Sequence, residues 1–217
     1  MKLFGSADRC LINTNRIDSE KMEAAIPLLN LQEFTEGNSK EKDVFVQKLF
    51  VAFRDIGFVS IENHGIPDQK IDDFYTKAKA FFSLPEAVKL SCEIPGLAGQ
   101  RGYTSFGKEH AKQSNVGDLK EFFQIGQTVD GPDEIKSEYP DNVVVSQLPE
   151  FSELGNQLYR SFEYCGSRIL EAIALGLDLE EHFFEDKIKN GNSILRAIHY
   201  PPIIHEPASA IRAEQHE

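Results

Sequence analysis

A periodic run of apolar residues in the second half of the chain constrains the fold more than any other feature. Between Pro149 and Gly176, apolar residues recur at steps of three and four, a spacing that places them on one face of a helix. They are Phe151, Leu154, Leu158, Phe162, Cys165, Ile169 and Ile173. Gly176 stands where a helix ends. The sequence therefore predicts one long amphipathic helix over these residues.

Shorter helices and strands are indicated along the rest of the chain. Apolar periodicity favours helices over residues 39–56 and 68–82, and a short helix that ends at Ile188. Runs of β-branched and aromatic residues bounded by Gly, Pro or Asn favour strands. These strands are expected at 26–31, 58–61, 102–103, 121–125 and 194–200. The order predicts a mixed α/β fold, with long helices early and strands gathering towards the end.

The same patterns predict helix caps and buried faces. Ser39 and Asp68 stand where an N-cap residue is expected for the helices that follow them. Phe53, Tyr75 and Phe162 fall on the predicted apolar faces of their helices.

Composition and charge disfavour several classes of partner. The 217 residues include 23 Lys plus Arg and 35 Asp plus Glu, so the formal charge is −12. An acidic chain with a pI near 5.0 is a poor match for nucleic acid or an anionic membrane surface. No apolar run approaches the ~18 residues that a membrane-spanning helix needs. The cysteines, Cys10, Cys92 and Cys165, are far apart, which suggests a reducing compartment. We therefore expect a cytoplasmic protein.

The first candidates for metal ligands are the six histidines: His64, His110, His182, His199, His205 and His216. His64 lies in the turn 63–67, where a bond to the backbone is the simpler interpretation, and His182 is expected at the surface. His205 and His216 each precede a glutamate, and imidazole with carboxylate suits zinc or non-haem iron. Neither pair has a spacing specific to one chemistry, and the common hydrolase and nucleotide-binding motifs are absent from the sequence.

Several segments in a fixed order carry a resemblance to a known family. They are IPLLNL at 26–31, GFV at 57–59, NHGIP at 63–67, RGYTSFGKE at 101–109, DLKEFF at 118–123, and a segment ending YPP at 195–202, followed by Arg212 and His216. Each segment alone is a weak signal, whereas their order over residues 26–217 is specific. The chain resembles the isopenicillin N synthase-like branch of the iron(II)/2-oxoglutarate-dependent oxygenases.

This resemblance implies a fold in which N-terminal helices pack on a double-stranded β-helix, or jelly-roll, barrel. It implies an irregular N-terminal arm over 1–25 and the helical and strand region of the oxygenase over 26–190. The start of the iron-binding jelly roll would occupy 191–217, so that the barrel is incomplete in this chain. We therefore expect these residues to be part of a longer protein, and residues 1–217 alone to be inactive.

The implied activity is oxidation of a small molecule with iron(II), molecular oxygen and 2-oxoglutarate, giving hydroxylation, desaturation or cyclisation. No nucleic acid or membrane partner is expected, and the oligomeric state stays open. One alternative is a 2-oxoglutarate-independent oxidative cyclase on the same scaffold. Another is a non-catalytic relative that only binds a ligand. A third is an unrelated metal-binding protein that uses His205, Glu206, His216 and Glu217.

The resemblance also assigns two residues to iron and co-substrate. His216 matches the first histidine of the family's His-x-Asp iron motif, with Glu217 at the middle position. Tyr200 matches the tyrosine before Pro-Pro that reaches the co-substrate carboxylate in the family. The alternative for Tyr200 is a tyrosine packed at a strand end. Ile198 stands where plant members have asparagine, so the resemblance does not supply that half of the co-substrate contact.

Three further residues fall in segments that line the substrate mouth in relatives: Arg101, Tyr103 and Phe123. The alternative is an arginine on the surface and two aromatic residues in the core. The charged residues at 118–121 are expected to form a solvated cluster, which contributes little to stability.

Overall fold

A computed structural model of the protein describes residues 25–97, 99–109, 117–129, 136 and 139–203. Its helices are α1 Leu31–Thr35, α2 Ser39–Asp55, α3 Asp68–Phe82, α4 Glu86–Leu90, α5 Pro149–Gly176 and α6 Glu185–Ile188. Its strands are β1 Leu28–Asn30, β2 Ser60–Glu62, β3 Gly102–Thr104, β4 Glu121–Gly126 and β5 Ile194–His199. In the described part of the chain, no helix is both long enough and apolar enough to cross a bilayer.

The strands form two sheets. β1 and β2 pair in parallel, whereas β3, β4 and β5 form an antiparallel sheet with β4 in the centre. Glu121 of β4 lies opposite His199 of β5, and Tyr103 of β3 lies opposite Phe123 of β4. Because β4 and β5 belong to segments far apart in sequence, this sheet spans the predicted boundary between residues 190 and 191.

Helix α5 confirms the predicted long helix, and it packs against α2, α3 and the central sheet. The ring of Phe151 on α5 is stacked on Phe81 of α3, with ring centres 4.9 Å apart. Phe123 of β4 meets both rings edge to face at 5.0 Å. All three aromatic side chains are fully buried. These contacts join the helix layer to the sheet in one core.

Three aromatic residues on the predicted apolar faces of helices are exposed to solvent. Phe53, Tyr75 and Phe162 are 41%, 62% and 46% exposed. Neighbouring elements cover only the middle of each apolar stripe, so residues at its margin stay in contact with solvent.

The predicted helix caps are wrong by one residue. The N-cap of α2 is Asn38, whose side chain accepts from the backbone of Lys40 and Glu41. The Glu41 carboxylate accepts in turn from the Asn38 backbone amide and so completes a capping box. The N-cap of α3 is Pro67, which makes no side-chain cap. Asp68 is instead the first residue of that helix, where its negative charge interacts favourably with the positive end of the helix dipole.

The fold class agrees with the prediction at the coarse level. Helices and strands are mixed along the chain, so the mixed α/β architecture is confirmed. The expected order is not observed, because the longest helix, α5, lies late in the chain and only β5 follows it among the described strands. Only one three-stranded sheet is present near the predicted barrel in the described residues, and the jelly roll itself stays a prediction. The predicted arm over 1–25 and residues 204–217 lie almost entirely outside the described residues, since only Ala25 is included.

Candidate active site

The sheet β3–β4–β5 has two faces with different surroundings. Residues directly opposite each other in an antiparallel ladder share a face, and neighbours along a strand point to opposite faces. The face that packs on α3 and α5, called the helix face, carries Glu121, Phe123, Ile125, Leu195, Ala197 and His199. The opposite face, called the cavity face, carries Thr104, Phe122, Gln124, Arg196 and Ile198.

Phe123 and Tyr103, two of the predicted substrate-mouth residues, are buried on the helix face. Phe123 is 0% exposed and Tyr103 is 3% exposed. The Tyr103 ring meets the Phe81 ring edge to face at 5.8 Å. Both positions agree with the alternative that these are core aromatic residues, and their role towards a substrate stays a prediction.

Arg101, the third of these residues, is not on the surface. Its side chain is 2% exposed, and the guanidinium lies against Gly126, where any side chain would collide with it. Nη1 donates to the carbonyl of Gln100 at 2.9 Å, while Nε and Nη2 have no partner among the described residues. Burial lowers the pKa of Arg101. The alternative of a surface arginine is therefore wrong, and the substrate role of Arg101 stays a prediction.

Polar side chains meet at the buried Glu121 carboxylate on the helix face, and we call them the Glu121 cluster: Glu121, Lys89, Tyr103 and His199. Glu121 is 4% exposed. Lys89 of α4 donates from Nζ to Glu121 Oε2 at 2.6 Å, and the Tyr103 hydroxyl donates to the same oxygen. His199 Nδ1 lies 2.7 Å from Glu121 Oε1. One carboxylate thus joins side chains from α4, β3 and β5.

The charges in the Glu121 cluster follow from these contacts. Burial raises the pKa of Glu121, but hydrogen bonds from Lys89, Tyr103 and His199 outweigh burial and leave the pKa below its ordinary value. Burial and the adjacent carboxylate raise the pKa of Tyr103. Glu121 is therefore ionised and Tyr103 neutral near pH 7. Because an ionised carboxylate can only accept, the proton between Glu121 and His199 sits on His199 Nδ1.

The charged residues just before β4 are also buried. Asp118 and Lys120 are 6% and 8% exposed, and Lys120 Nζ lies 2.8 Å from Asp118 Oδ2 and 2.7 Å from Glu109 Oε2. Burial alone would lower the pKa of Lys120. The two carboxylates outweigh burial, so the pKa of Lys120 lies above its ordinary value. The prediction of a solvated cluster at 118–121 is wrong, because the segment enters the central strand of the sheet.

Arg196 is the main charged group on the cavity face. Its guanidinium carbon lies 4.3 Å from the centre of the Phe122 ring. Nε donates to Gln124 Oε1 at 2.9 Å, and Nη1 lies 3.4 Å from Glu109 Oε1. Gln124 in turn donates to the backbone carbonyl of Gly99. These contacts orient a partly exposed cation on the cavity face.

A cavity of ≈ 550 Å³ lies between the cavity face and the segment 93–99. It is lined by Glu93, Ile94, Pro95, Gly96, Gly99, Tyr103, Thr104, Lys108, Glu109 and Phe122. Glu93 and Lys108 form an ion pair of 2.7 Å at its margin. The volume lies within the range of roughly 300–1,000 Å³ found for small-molecule sites. The combination of apolar walls and a few charged groups suits a small polar organic molecule.

The predicted co-substrate residue Tyr200 follows β5 directly. It is 40% exposed and lies one residue beyond the last paired residue of β5. It is not among the residues that line the cavity. His216, the predicted iron ligand, lies outside the described residues, as do His205 and the residues that follow it. Among the described residues, no group of three His, Cys, Asp or Glu side chains could hold a metal ion.

Two residues that matter in this arrangement were missed by sequence reasoning, and one expectation is confirmed. Arg196 was not singled out, although a charge in the middle of an apolar strand was a usable signal, and His199 was named only among the six histidines, without a role. No local pattern indicated that His199 meets Glu121. His64 behaves as expected, because its Nδ1 accepts from the backbone amide of Ile66 at 3.1 Å.

Comparison with known proteins supplies the class of the chain. Residues 26–147 match the family described as non-haem dioxygenase in morphine synthesis N-terminal. A 2-oxoglutarate-Fe(II) type oxidoreductase of Metarhizium rileyi is 31% identical over 193 residues, covering 83% of this chain and 53% of that protein. A proline hydroxylase of Petromyces alliaceus is 31% identical over 182 residues, covering 81% and 55%. The family match includes Lys89, Tyr103 and Glu121 and ends before β5.

Solved structures agree with these matches. A 2OG-Fe(II) oxygenase family protein from Caulobacter crescentus superposes with a TM-score of 0.72 at 35% identity, over 84% of this chain and 58% of that one. A full-length Neurospora crassa protein in complex with alpha-KG gives a TM-score of 0.66 at 26% identity, over 81% and 55%. The fold is that of a 2-oxoglutarate oxygenase. The chain belongs to the iron(II)/2-oxoglutarate-dependent oxygenase family, and it spans a little over half the length of the curated relatives it matches.

Proposed function

We propose that the protein oxidises a small organic molecule in a reaction that depends on non-haem iron(II), molecular oxygen and 2-oxoglutarate. One observation carries the proposal: relatives named for this chemistry match more than four fifths of the chain. Hydroxylation, desaturation and cyclisation are the outcomes that this chemistry supports. The substrate is proposed to be a small molecule because the described cavity has the size of a small-molecule site.

The donors on the cavity face suit an anionic co-substrate. The Arg196 guanidinium lies on the cavity face, and the partly exposed Tyr200 follows the same strand; guanidinium and hydroxyl groups are donors that can bind a carboxylate. We propose that Tyr200 donates to a carboxylate of 2-oxoglutarate and that His216 binds the iron. A facial set of two histidines and one carboxylate leaves open positions on iron. When bound, iron(II) supplies the redox chemistry with oxygen and 2-oxoglutarate.

The residues of this chain bind and orient the substrate in this proposal. Ile94, Pro95 and Phe122 provide apolar walls that exclude water, and Arg196, which lies over the Phe122 ring outside the cavity lining, orients an anionic or hydrogen-bond-accepting group. Tyr103 borders the cavity as well, but its ring is buried on the helix face, so we propose that it supports the cavity wall. Arg101 and Phe123 are proposed to support that wall from the interior, since both are buried.

The alternatives differ in their support. The names of the matched relatives favour a 2-oxoglutarate-dependent enzyme over a 2-oxoglutarate-independent cyclase or a non-catalytic ligand-binding relative. The alternative of an unrelated metal-binding protein is wrong, because the chain belongs to the oxygenase family. We also propose a cytoplasmic location, which is supported by free, buried thiols at Cys92 and Cys165.

Binding of 2-oxoglutarate followed by turnover tests the proposed function. The complete protein is loaded with iron(II) without oxygen and titrated with 2-oxoglutarate by calorimetry, and succinate is measured after air is admitted. We expect binding that requires iron and succinate that forms over many turnovers once substrate is present. The His216→Ala variant should lose iron and both signals.

The same experiment separates the alternatives. Oxygen consumption without any requirement for 2-oxoglutarate would favour the cyclase. Binding of 2-oxoglutarate without succinate formation, for any small molecule offered, would favour the non-catalytic relative. A protein that binds neither iron nor 2-oxoglutarate contradicts the proposal.

A further inference from the structure

The pairing between β4 and β5 ends immediately before Tyr200. Its last register pair is Glu121 with His199. Pro201 and Pro202 follow Tyr200, and proline has no amide hydrogen to donate to a ladder. The strand therefore cannot extend its backbone hydrogen bonds past Tyr200. The side-chain bond between Glu121 and His199, at 2.7 Å, is the described link between the two strands that lies nearest to Tyr200.

Both ends of this link are held by other parts of the protein. The Glu121 carboxylate also accepts from Lys89 and Tyr103, so it is anchored to α4 and β3. The His199 ring lies against the Phe82 ring of α3, with centres 5.1 Å apart and planes inclined by 28°. A contact at the ring face and a hydrogen bond at Nδ1 together restrict the imidazole. The end of β5 is thus attached to the helix layer through side chains.

We propose that Glu121 is a positioning residue that acts through His199 to set the direction in which the chain leaves β5, and with it the place of the Tyr200 hydroxyl. The inference rests on the proposed function, because it assumes that Tyr200 holds the co-substrate. Glu121 lies on the helix face, so it contacts neither co-substrate nor substrate. Its effect on 2-oxoglutarate is exerted only through Tyr200.

The first part of the test measures the backbone of the metal-free protein. Glu121→Gln keeps the shape of the side chain and removes its charge, and His199→Phe breaks the same link while it keeps the contact with Phe82. In both variants we expect the ¹⁵N order parameter of Tyr200 to fall from a rigid value of about 0.85 towards about 0.6. The order parameter of Leu195, at the other end of β5, should stay unchanged.

The second part measures 2-oxoglutarate binding with iron(II) in the absence of oxygen. Glu121→Gln should weaken binding by about three- to tenfold, which corresponds to a modest coupling between linked residues. In a Tyr200→Phe background the same change should have almost no further effect. The control is Glu181→Gln, which removes a carboxylate that pairs with Lys42 at 2.7 Å and should leave binding unchanged.

The outcomes distinguish this inference from the proposed function. An unchanged Tyr200 order parameter in both variants, or an equal loss of affinity with and without the Tyr200 hydroxyl, overturns the positioning role. A wild-type protein that binds no 2-oxoglutarate overturns the proposed function, and with it the role of Tyr200 towards the co-substrate. In that case a lower order parameter at Tyr200 still supports the structural link from Glu121, and an unchanged one overturns it.

Discussion

Arg196 lies diagonally across the β4–β5 ladder from Phe122, with its guanidinium carbon 4.3 Å from the centre of the ring. The same guanidinium is bonded at Nε to Gln124, its direct partner in the ladder. Stacking and a directed hydrogen bond both require the planar, forked shape of arginine, which lysine lacks. The charge of Arg196 is therefore held in one orientation on the cavity face.

Arg196→Lys should lower the free energy of unfolding by about 0.5–1 kcal/mol, the size of a partly exposed cation–π contact. Urea denaturation of wild type and variant measures the difference. Arg54→Lys is the matched control, because the Arg54–Asp55 pair is exposed and should contribute almost nothing. Equal effects for the two substitutions would mean that the contact with Phe122 does not stabilise the protein.

Two glycines of α5 should respond in opposite directions to alanine. At Gly155, a Cβ atom would overlap the Ile125 side chain and come within 3.1 Å of Phe74. Both neighbours are buried, so Gly155→Ala should destabilise the protein by about 1–3 kcal/mol through overpacking. Gly166 has no neighbour within 4 Å of such a Cβ atom. Gly166→Ala should stabilise by about 0.5–1 kcal/mol through helix propensity.

Thermal and urea unfolding of both alanine variants measure this contrast. Since the substitutions are chemically identical and lie on one helix, differences in intrinsic propensity cancel. A stabilising Gly155→Ala would show that the packing of α5 on β4 is looser than described.

The Glu121 cluster should make stability depend on acidic pH. The pKa of Glu121 is lowered in the folded protein from its ordinary value of 4.5. Its contribution to stability is therefore present above pH 4.5 and is lost as pH falls through the lowered pKa. Unfolding free energies measured between pH 7 and pH 3 should fall less steeply for Glu121→Gln than for wild type. Glu181→Gln, at a more exposed ion pair, should change the slope less.

Tyr103 should produce the corresponding effect at alkaline pH. Its pKa is raised in the folded protein from an ordinary value of 10.0, so its contribution is present below pH 10 and is lost as pH rises above that value. Tyr103→Phe should remove part of the alkaline loss of stability. If the free energy of unfolding falls equally in wild type and variant above pH 10, Tyr103 does not cause the loss of stability at alkaline pH.

Tyr200→Phe tests the proposed co-substrate contact directly. Loss of a hydroxyl that donates to a carboxylate should weaken 2-oxoglutarate binding by about 1–3 kcal/mol. Iron affinity should stay nearly unchanged, because the phenol is not proposed as a ligand. Calorimetry with iron(II) in the absence of oxygen measures both affinities. An unaltered affinity for 2-oxoglutarate would contradict the proposed contact and favour the alternative that Tyr200 is a tyrosine packed at a strand end.

Local sequence patterns were sufficient for most helices and strands. The bounds of α5 were predicted as they are observed, and the strands around Tyr103, Phe123 and Ala197 were placed to within one or two residues. The resemblance to the oxygenase family was visible in short ordered segments and is confirmed by the comparisons. Periodicity did not predict which residues of an apolar helix face are buried, as at the exposed Tyr75. The elements that pack on the helix decide how much of that face is covered, and periodicity does not identify those elements.

By itself, the sequence determined the type and order of the elements and the family of the protein, because both depend on residues close together in the chain. Only the tertiary structure decided which side chains meet in the site. Glu121 and His199 are 78 positions apart, and Lys89 reaches the same carboxylate from a third element. Whether a strand residue points to the helix face or to the cavity face follows from long-range strand register. A shift of one residue in that register would exchange Arg196 with Ala197, and no local pattern specifies it.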